Sequence, residues 1–287
     1  MKIMEKALGV LRLIRPVNCL MMGFAVVVGM IVATHGFSIK TETILYGFVT
    51  GFAFLAAANT INDYYDRGID ATNEPSRPIP SGIIRPKEAL GYVFILSVIG
   101  FITAFLTYVP ECLAIATVAW LLSVYYATMG KRTGLLGNFV VSACVAVPFI
   151  YGGFAVGKGL DLLLLFFSVI AFLSNTGREI TKGIVDIGGD RPQRVRTLAV
   201  LYGSRTAAVT ASSFYISSVV FSLFPRILGK VSVWYLPYVI IADTGFVLSS
   251  VLLLHDFSCE NARRVKNLVL VWMVAGLSAF VAGGILT

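Results

Sequence analysis

Residues 43–70 read TILYGFVTGFAFLAAANTINDYYDRGID, an apolar run that ends in a cluster of acids. Crossing the hydrocarbon core of a bilayer takes about 20 consecutive apolar residues, and Thr43 to Ile61 supply that length without one charged side chain. The acids that follow, Asp63, Asp66 and Asp70, then fall where lipid gives way to water. Asn62, Asp66 and Asp70 are spaced by four. A helix that persists through them advances each side chain by about 400°, keeping the three on one slowly drifting stripe. One face would carry an amide and two carboxylates.

Runs of the same kind recur outward from this one in both directions. Of the 287 residues, 57% are hydrophobic and 13% charged, against ~25% charged in a soluble domain. Breaks at charged or Gly/Pro-rich stretches predict about nine helices, near residues 17–35, 43–66, 88–107, 110–129, 135–156, 160–178, 205–224, 235–254 and 267–286. Barrel-type alternation is absent, so α-helices are the remaining way to satisfy the backbone in lipid. The expected fold is therefore an all-α integral membrane protein, one domain over residues 1–287. The first run, Asn18 to Thr34, follows Lys2, Lys6, Arg12 and Arg15, as a signal peptide's would. It lacks a small-x-small cleavage site and many spans follow, so it reads as an uncleaved span. Cys19, Cys112, Cys144 and Cys259 are far apart, with no CxxC or Cys/His cluster, and read as small core residues rather than a zinc site or disulfide framework.

The formal net charge of +8 has two explanations, nucleic acid or anionic lipid, and the positions of the charges choose between them. On one side of the predicted spans fall nineteen of the 23 Lys and Arg, including Arg67, Arg77, Lys131, Arg132, Arg178, Lys182 and Arg194. Only Lys40, Lys158, Arg226 and Lys230 fall on the other. This bias predicts a cytoplasmic N-terminus and an external C-terminus in a multi-pass cell-membrane protein, and makes a nucleic-acid partner unnecessary. The two longest connections, after the second and sixth spans, are both cytoplasmic; long loops in a compact fold are more often binding loops or lids than idle connectors. The first contains Asn73-Glu74-Pro75-Ser76-Arg77-Pro78-Ile79-Pro80-Ser81-Gly82, whose prolines and glycine favour ordered turns.

The sixth span runs into Asn175-Thr176-Gly177-Arg178-Glu179-Ile180-Thr181-Lys182-Gly183-Ile184-Val185-Asp186-Ile187-Gly188-Gly189-Asp190, repeating the four-residue spacing at Asp186 and Asp190. Both motifs sit at cytoplasmic ends and so at one depth. Four carboxylates facing one another repel unless a cation lies between them. Mg²⁺ suits the site, taking a few carboxylates together with waters and phosphate oxygens. Arg67, Lys131, Arg132, Arg178 and Lys182, beside or level with the motifs, would meet the remaining charge of a diphosphate. Any one of these groups alone reads as an interfacial charge capping a helix end; two matched motifs on one side favour a site. Asp63 and Glu179 lie off the stripe and read as solvated or ion-paired. His35 and His255 lack metal-ligand partners at useful spacing. The pairs Tyr64-Tyr65 and Tyr125-Tyr126 read as interfacial belt residues. Asp243, inside the eighth span, is divided between function and helix packing.

Asn62-Asp63-x-x-Asp66-x-x-x-Asp70 with Asp186-x-x-x-Asp190 resembles the paired motifs of the UbiA superfamily of intramembrane prenyltransferases. The resemblance extends to Arg77-Pro78-Ile79-Pro80-Ser81-Gly82, to Tyr126 through Lys131-Arg132, and to Arg196-Thr197-Leu198. It implies a helical bundle around a central cavity, with Asn62, Asp66, Asp70, Asp186 and Asp190 holding Mg²⁺ and, through it, an isoprenyl diphosphate such as geranylgeranyl diphosphate. It further implies that Arg67 and Lys131 contact phosphate oxygens, with Arg132, Arg178 and Lys182 as further diphosphate-binding candidates. An allylic cation formed there needs a water-poor surround, and the ring of Tyr126 is a candidate to stabilise it.

The acceptor implied is lipophilic. Gly177 to Lys182 with Arg196-Thr197-Leu198 looks most like the branch making archaeal ether lipids, which adds a second geranylgeranyl chain to geranylgeranylglyceryl phosphate. Gly183-Ile184-Val185 is less acidic than is common in that branch, leaving open an aromatic acceptor as in quinone, haem O or chlorophyll synthesis. An ion-coupled transporter would hold its acids near the midplane in inverted repeats, whereas these cluster at one face. A phosphohydrolase would need a nucleophile or general base beside the motifs, and no His or Ser arrangement offers one.

Overall fold

The computed structural model describes residues 2–192 and 195–285, so that Arg194 lies outside the described residues. Among them, nine helices are long and apolar enough to cross a membrane. They are α2 (Pro16–Thr34), α3 (Thr41–Asn73), α4 (Pro86–Phe105), α5 (Pro110–Thr128), α6 (Leu135–Ala155), α7 (Leu162–Val185), α9 (Leu198–Ile227), α10 (Tyr235–His255) and α11 (Cys259–Ile285). Two non-spanning helices join them, α1 (Lys2–Ile14) and the single turn α8 (Ile187–Asp190). The all-α membrane expectation holds, and every predicted span has its helix.

Helix ends differ where charge misled the reading. A hydropathy window stops at the first charged residue, but helical hydrogen bonding does not. At 33 residues α3 is roughly 50 Å long, against a hydrocarbon core of about 30 Å, so its last turns carry Asp63 to Asp70 clear of the lipid as helix. The sixth span likewise continues to Val185 and the ninth starts at Cys259. The seventh starts at Leu198 and is broken at Gly203, whose φ of 84° and ψ of 163° admit glycine readily and side chains poorly.

The N-terminal arm, which lies outside the predicted spans, is the amphipathic helix α1. Leu13 is buried against Ile79, Ile84 and Ala89, and Lys6 pairs with Glu88 at 2.7 Å. Met4, Leu8 and Leu11 are exposed on its other side, as expected of a helix lying in a membrane interface. This helix braces the loop between α3 and α4.

Neighbouring helices pack side by side, and α11 returns to α2, closing a ring. Helices α2 and α6 approach closely because Gly29 faces Phe149 and Gly152 faces Val26: a Cβ on either glycine would strike the opposing helix's backbone carbonyl. Small residues permit such contact between membrane helices. Gly152→Val is therefore expected to cost about 1–3 kcal/mol, read as a lowered unfolding midpoint in detergent. A midpoint equal to wild type would show that this contact is dispensable.

Candidate active site

The polar C-terminal part of α3 is the centre of the site. Asp63, Asp66 and Asp70 are all buried, and each meets a cation from a different segment. Lys131, on the short 3₁₀ turn after α5, donates to Asp66 at 2.7 Å. Arg77 reaches back from the proline-rich loop to Asp70 at 2.7 Å and Asp63 at 3.5 Å. Arg15 bonds Asp63 at 2.5 Å from the junction of α1 and α2. There its backbone is left-handed, φ 56° and ψ 69°, just before Pro16, which disfavours continuing the helix. Asn59 ties this segment to α1 by donating to the Ile14 carbonyl at 2.9 Å.

The second motif is not continuous helix. Asp186 caps α7, the chain turns, and Asp190 ends the single turn α8, which packs against α3. Asp190 is buried, 2% exposed, and feels the charges of Lys131, Asp186, Lys182 and Asp66. Burial pushes its carboxyl up to about 6, with Lys131 opposing and Asp186 reinforcing the shift. The two motifs thus meet across the α3 and α8 contact.

Two buried oxygens, Asn62 Oδ1 in the first motif and Asp190 Oδ1 in the second, have no hydrogen-bond partner. An unsatisfied buried acceptor costs about 1–3 kcal/mol. Both are hard oxygen donors in an acidic setting, the ligand type that Mg²⁺ takes. Among the described residues no three His, Cys, Asp or Glu side chains converge closely enough to hold a metal by themselves. This arrangement fits an ion that shares its shell with waters and phosphate oxygens, better than one needing an all-protein cage.

Beneath the motifs lies a cavity of about 420 Å³. Its upper wall is polar, with Arg15, Asn62, Arg77, Tyr126, Glu179 and Lys182. Its lower wall is apolar, with Ala25, Phe149, Ile170, Phe246, Leu277 and Phe280. An amphiphile with an anionic head and a hydrocarbon tail matches this polarity.

A family model described as the UbiA prenyltransferase family matches residues 22–282. The chain belongs to the UbiA family. It is thus a multi-pass membrane prenyltransferase. The digeranylgeranylglyceryl phosphate synthase of Pyrococcus furiosus is 34% identical over 278 residues, 96% of this chain and 97% of that one. A solved structure concerning a digeranylgeranylglyceryl phosphate synthase in membranes aligns over 98% of this chain and 99% of that one, with a TM-score of 0.74 and 32% identity. A UbiA homologue from Archaeoglobus fulgidus, solved with DMAPP and Mg²⁺, shares the fold at a TM-score of 0.67 and 14% identity, over 95% of this chain and 99% of that one.

Within this UbiA chain the predicted site residues are not equally placed. Asn62, Tyr126, Arg178 and Lys182 line the cavity; Asp66, Asp70, Lys131, Asp190 and the half-buried Asp186 do not, and connect to it through the lining residues Arg77, paired with Asp70, and Lys182, whose charge Asp190 feels. Arg67 does not join them. One residue beyond Asp66 it is rotated about 100° around the helix, exposed, with its guanidinium 4.6 Å from the Tyr64 ring centre and donating to the Tyr64 carbonyl. Arg132 is exposed too, without an ion pair among the described residues. Asp63 and Glu179 are ion-paired and buried rather than solvated, Glu179 between Arg178 at 3.1 Å and Lys182 at 3.6 Å. Tyr126 faces the cavity, not the interfacial belt. Asp243 accepts from Ser222 at 2.7 Å across α9 and α10, the packing role. Cys259 is exposed and so not a core residue.

Sequence reasoning missed Arg15, Arg77 and Lys266 as cavity residues. Arg77 had a signal, an arginine in an ordered loop just after the first motif. Lys266, heading the last span, had none beyond its predicted side.

Proposed function

We propose that this protein transfers a geranylgeranyl chain from geranylgeranyl diphosphate to geranylgeranylglyceryl phosphate, acting as one domain at the cytoplasmic face of the cell membrane with its N-terminus inside. The observation that carries the site assignment is the pair of partnerless oxygens, one from each acidic motif, with Asn62 lining the polar wall of an apolar cavity and Asp190 beside the cavity's Lys182. The activity named for relatives that match nearly the full chain supports the acceptor, and the Mg²⁺ and DMAPP described in the Archaeoglobus fulgidus homologue support the donor.

Asn62, Asp66, Asp70, Asp186 and Asp190 would hold Mg²⁺, which when bound supplies Lewis-acid neutralisation of the departing diphosphate. Lys131, Arg77 and Lys182 add positive charge around the same oxygens. The donor's carbon–oxygen bond breaks, diphosphate leaves with the electron pair, and the acceptor hydroxyl attacks the allylic carbon and gives up its proton to the released diphosphate. The apolar lower wall keeps water from the cation, and the Tyr126 ring at the junction of polar and apolar walls offers it a π face.

The test is incubation of purified protein with Mg²⁺, radiolabelled geranylgeranyl diphosphate and a panel of geranylgeranylglyceryl phosphate, 4-hydroxybenzoate and 1,4-dihydroxy-2-naphthoate. The expected result is a doubly prenylated glyceryl phosphate with stoichiometric diphosphate release, abolished by EDTA and restored by Mg²⁺. Prenylation of an aromatic acceptor alone would replace the acceptor; no product and no Mg²⁺-dependent diphosphate binding would overturn the reading altogether.

A further inference from the structure

The cavity has a second charged pole that the donor half of the site does not use. Arg178 on α7 and Lys266 and Asn267 on α11 line it, with Lys182 between them and the aspartate motifs. Glu179 is the single carboxylate within ion-pair distance of this group among the described residues, and it is shared by Arg178 and Lys182. Lys266 has no carboxylate within that distance among the described residues. Three cations thus have one carboxylate at ion-pair distance among them, with Asp186 bearing on Lys266 from farther off, in a half-buried setting where like charges repel more strongly than in water.

The unmet bonding here is of the opposite kind to that at the motifs. Arg178 Nε is buried with no acceptor, a missing anion, whereas Asn62 and Asp190 present oxygens without donors, a missing cation. The neighbours that bear most on Asp190 are Lys131, Asp186, Lys182 and Asp66. Those that bear most on Lys266 are Asp186, Lys182 and Arg178. Lys182 and Asp186 are common to both, so the poles adjoin at the end of α7.

We propose that Arg178 and Lys266 bind the phosphate monoester of the acceptor. Two anions must sit side by side if the acceptor is a glyceryl phosphate, because its hydroxyl and its phosphate are on neighbouring carbons while that hydroxyl must reach the donor's first carbon. A cation between them is then required, and Lys182 occupies that position. Arginine's planar donors suit a phosphate, with lysine as a point charge beside it. An aromatic acceptor without an anion of this charge would leave the excess cations unmatched. This inference deepens the function proposed above and rests on it.

Lys266→Gln is the decisive variant, because Lys266 makes no ion pair whose loss would unfold the protein, with Lys266→Arg as the charge-preserving control. The expected result is a KM for geranylgeranylglyceryl phosphate raised about tenfold or more, a KM for geranylgeranyl diphosphate within about twofold of wild type, and recovery in Lys266→Arg. Geranylgeranylglycerol, lacking the phosphate, should be used equally by wild type and variant. Equal rises in both KM values would assign Lys266 to the donor instead, and an unchanged acceptor KM would remove it from the site; either overturns the proposal. Equilibrium binding of labelled geranylgeranylglyceryl phosphate without donor separates this from the parent reading. If wild type turns over no acceptor, the parent reading fails, while about tenfold weaker binding to Lys266→Gln still upholds the anion site and equal binding still overturns it.

Discussion

Asp190→Asn should lower kcat/KM for prenyl transfer by about 10³-fold or more, while leaving the protein at least as stable as wild type. The two halves of this prediction have one cause. Asp190 is a buried carboxylate with one oxygen unpartnered, so its charge is a cost to the fold. The amide keeps its shape and removes the charge. A residue retained only for packing would lose neither activity nor stability under this change, and one retained for an ion pair would lose stability. Asp66→Asn should be comparably inactive but less stable, because Lys131 would lose its 2.7 Å partner in a half-buried position. Activity assays with thermal unfolding in detergent read both quantities. Near-normal turnover in Asp190→Asn would remove the second motif from the site.

The second large effect is expected at Arg77, a loop residue whose guanidinium serves two carboxylates of α3. Arg77→Ala leaves Asp70 buried without a partner, while Asp63 keeps Arg15. Breaking a fully buried pair costs about 3–5 kcal/mol; with Arg77 26% exposed, about 2–3 kcal/mol is expected. Activity should fall about 10²-fold or more, because the same guanidinium lines the cavity and, on the proposed function, would neutralise the diphosphate. Arg77→Lys should restore most of the stability and little of the activity, since a point charge replaces a fork that spans two acids. Equal recovery of both would show that Arg77 acts only by holding the loop in place.

Much of the fold was legible in the sequence because nine bilayer-length apolar runs separated by charge admit few other architectures. The stripe Asn62, Asp66 and Asp70 was legible too, because four-residue spacing has one meaning on a helix and α3 stays helical through it. Where the chain leaves regular structure, spacing lost that power. Asp186 and Asp190 share the same interval, yet a turn stands between α7 and α8, and the meeting of the two motifs depends on packing against α3.

The cations show the limit most clearly. Arg67 adjoins Asp66 in sequence but points away, because neighbours on a helix face different directions. Arg15 and Arg77 are 48 and 14 residues from Asp63, yet both bond it. Their positions follow from a left-handed turn before Pro16 and from a folded proline-rich loop braced by α1, neither of which has a periodic signature.

On the proposed function, the two motifs act as one receptor for Mg²⁺ and prenyl diphosphate. Titration calorimetry of geranylgeranyl diphosphate into the purified protein in nanodiscs, with Mg²⁺ and with EDTA, tests it most directly. The prediction is binding to wild type only with Mg²⁺, and at least about tenfold weaker binding to both Asp66→Asn and Asp190→Asn, one variant from each motif. Binding that is undiminished in EDTA, or that survives intact in either variant, would contradict it.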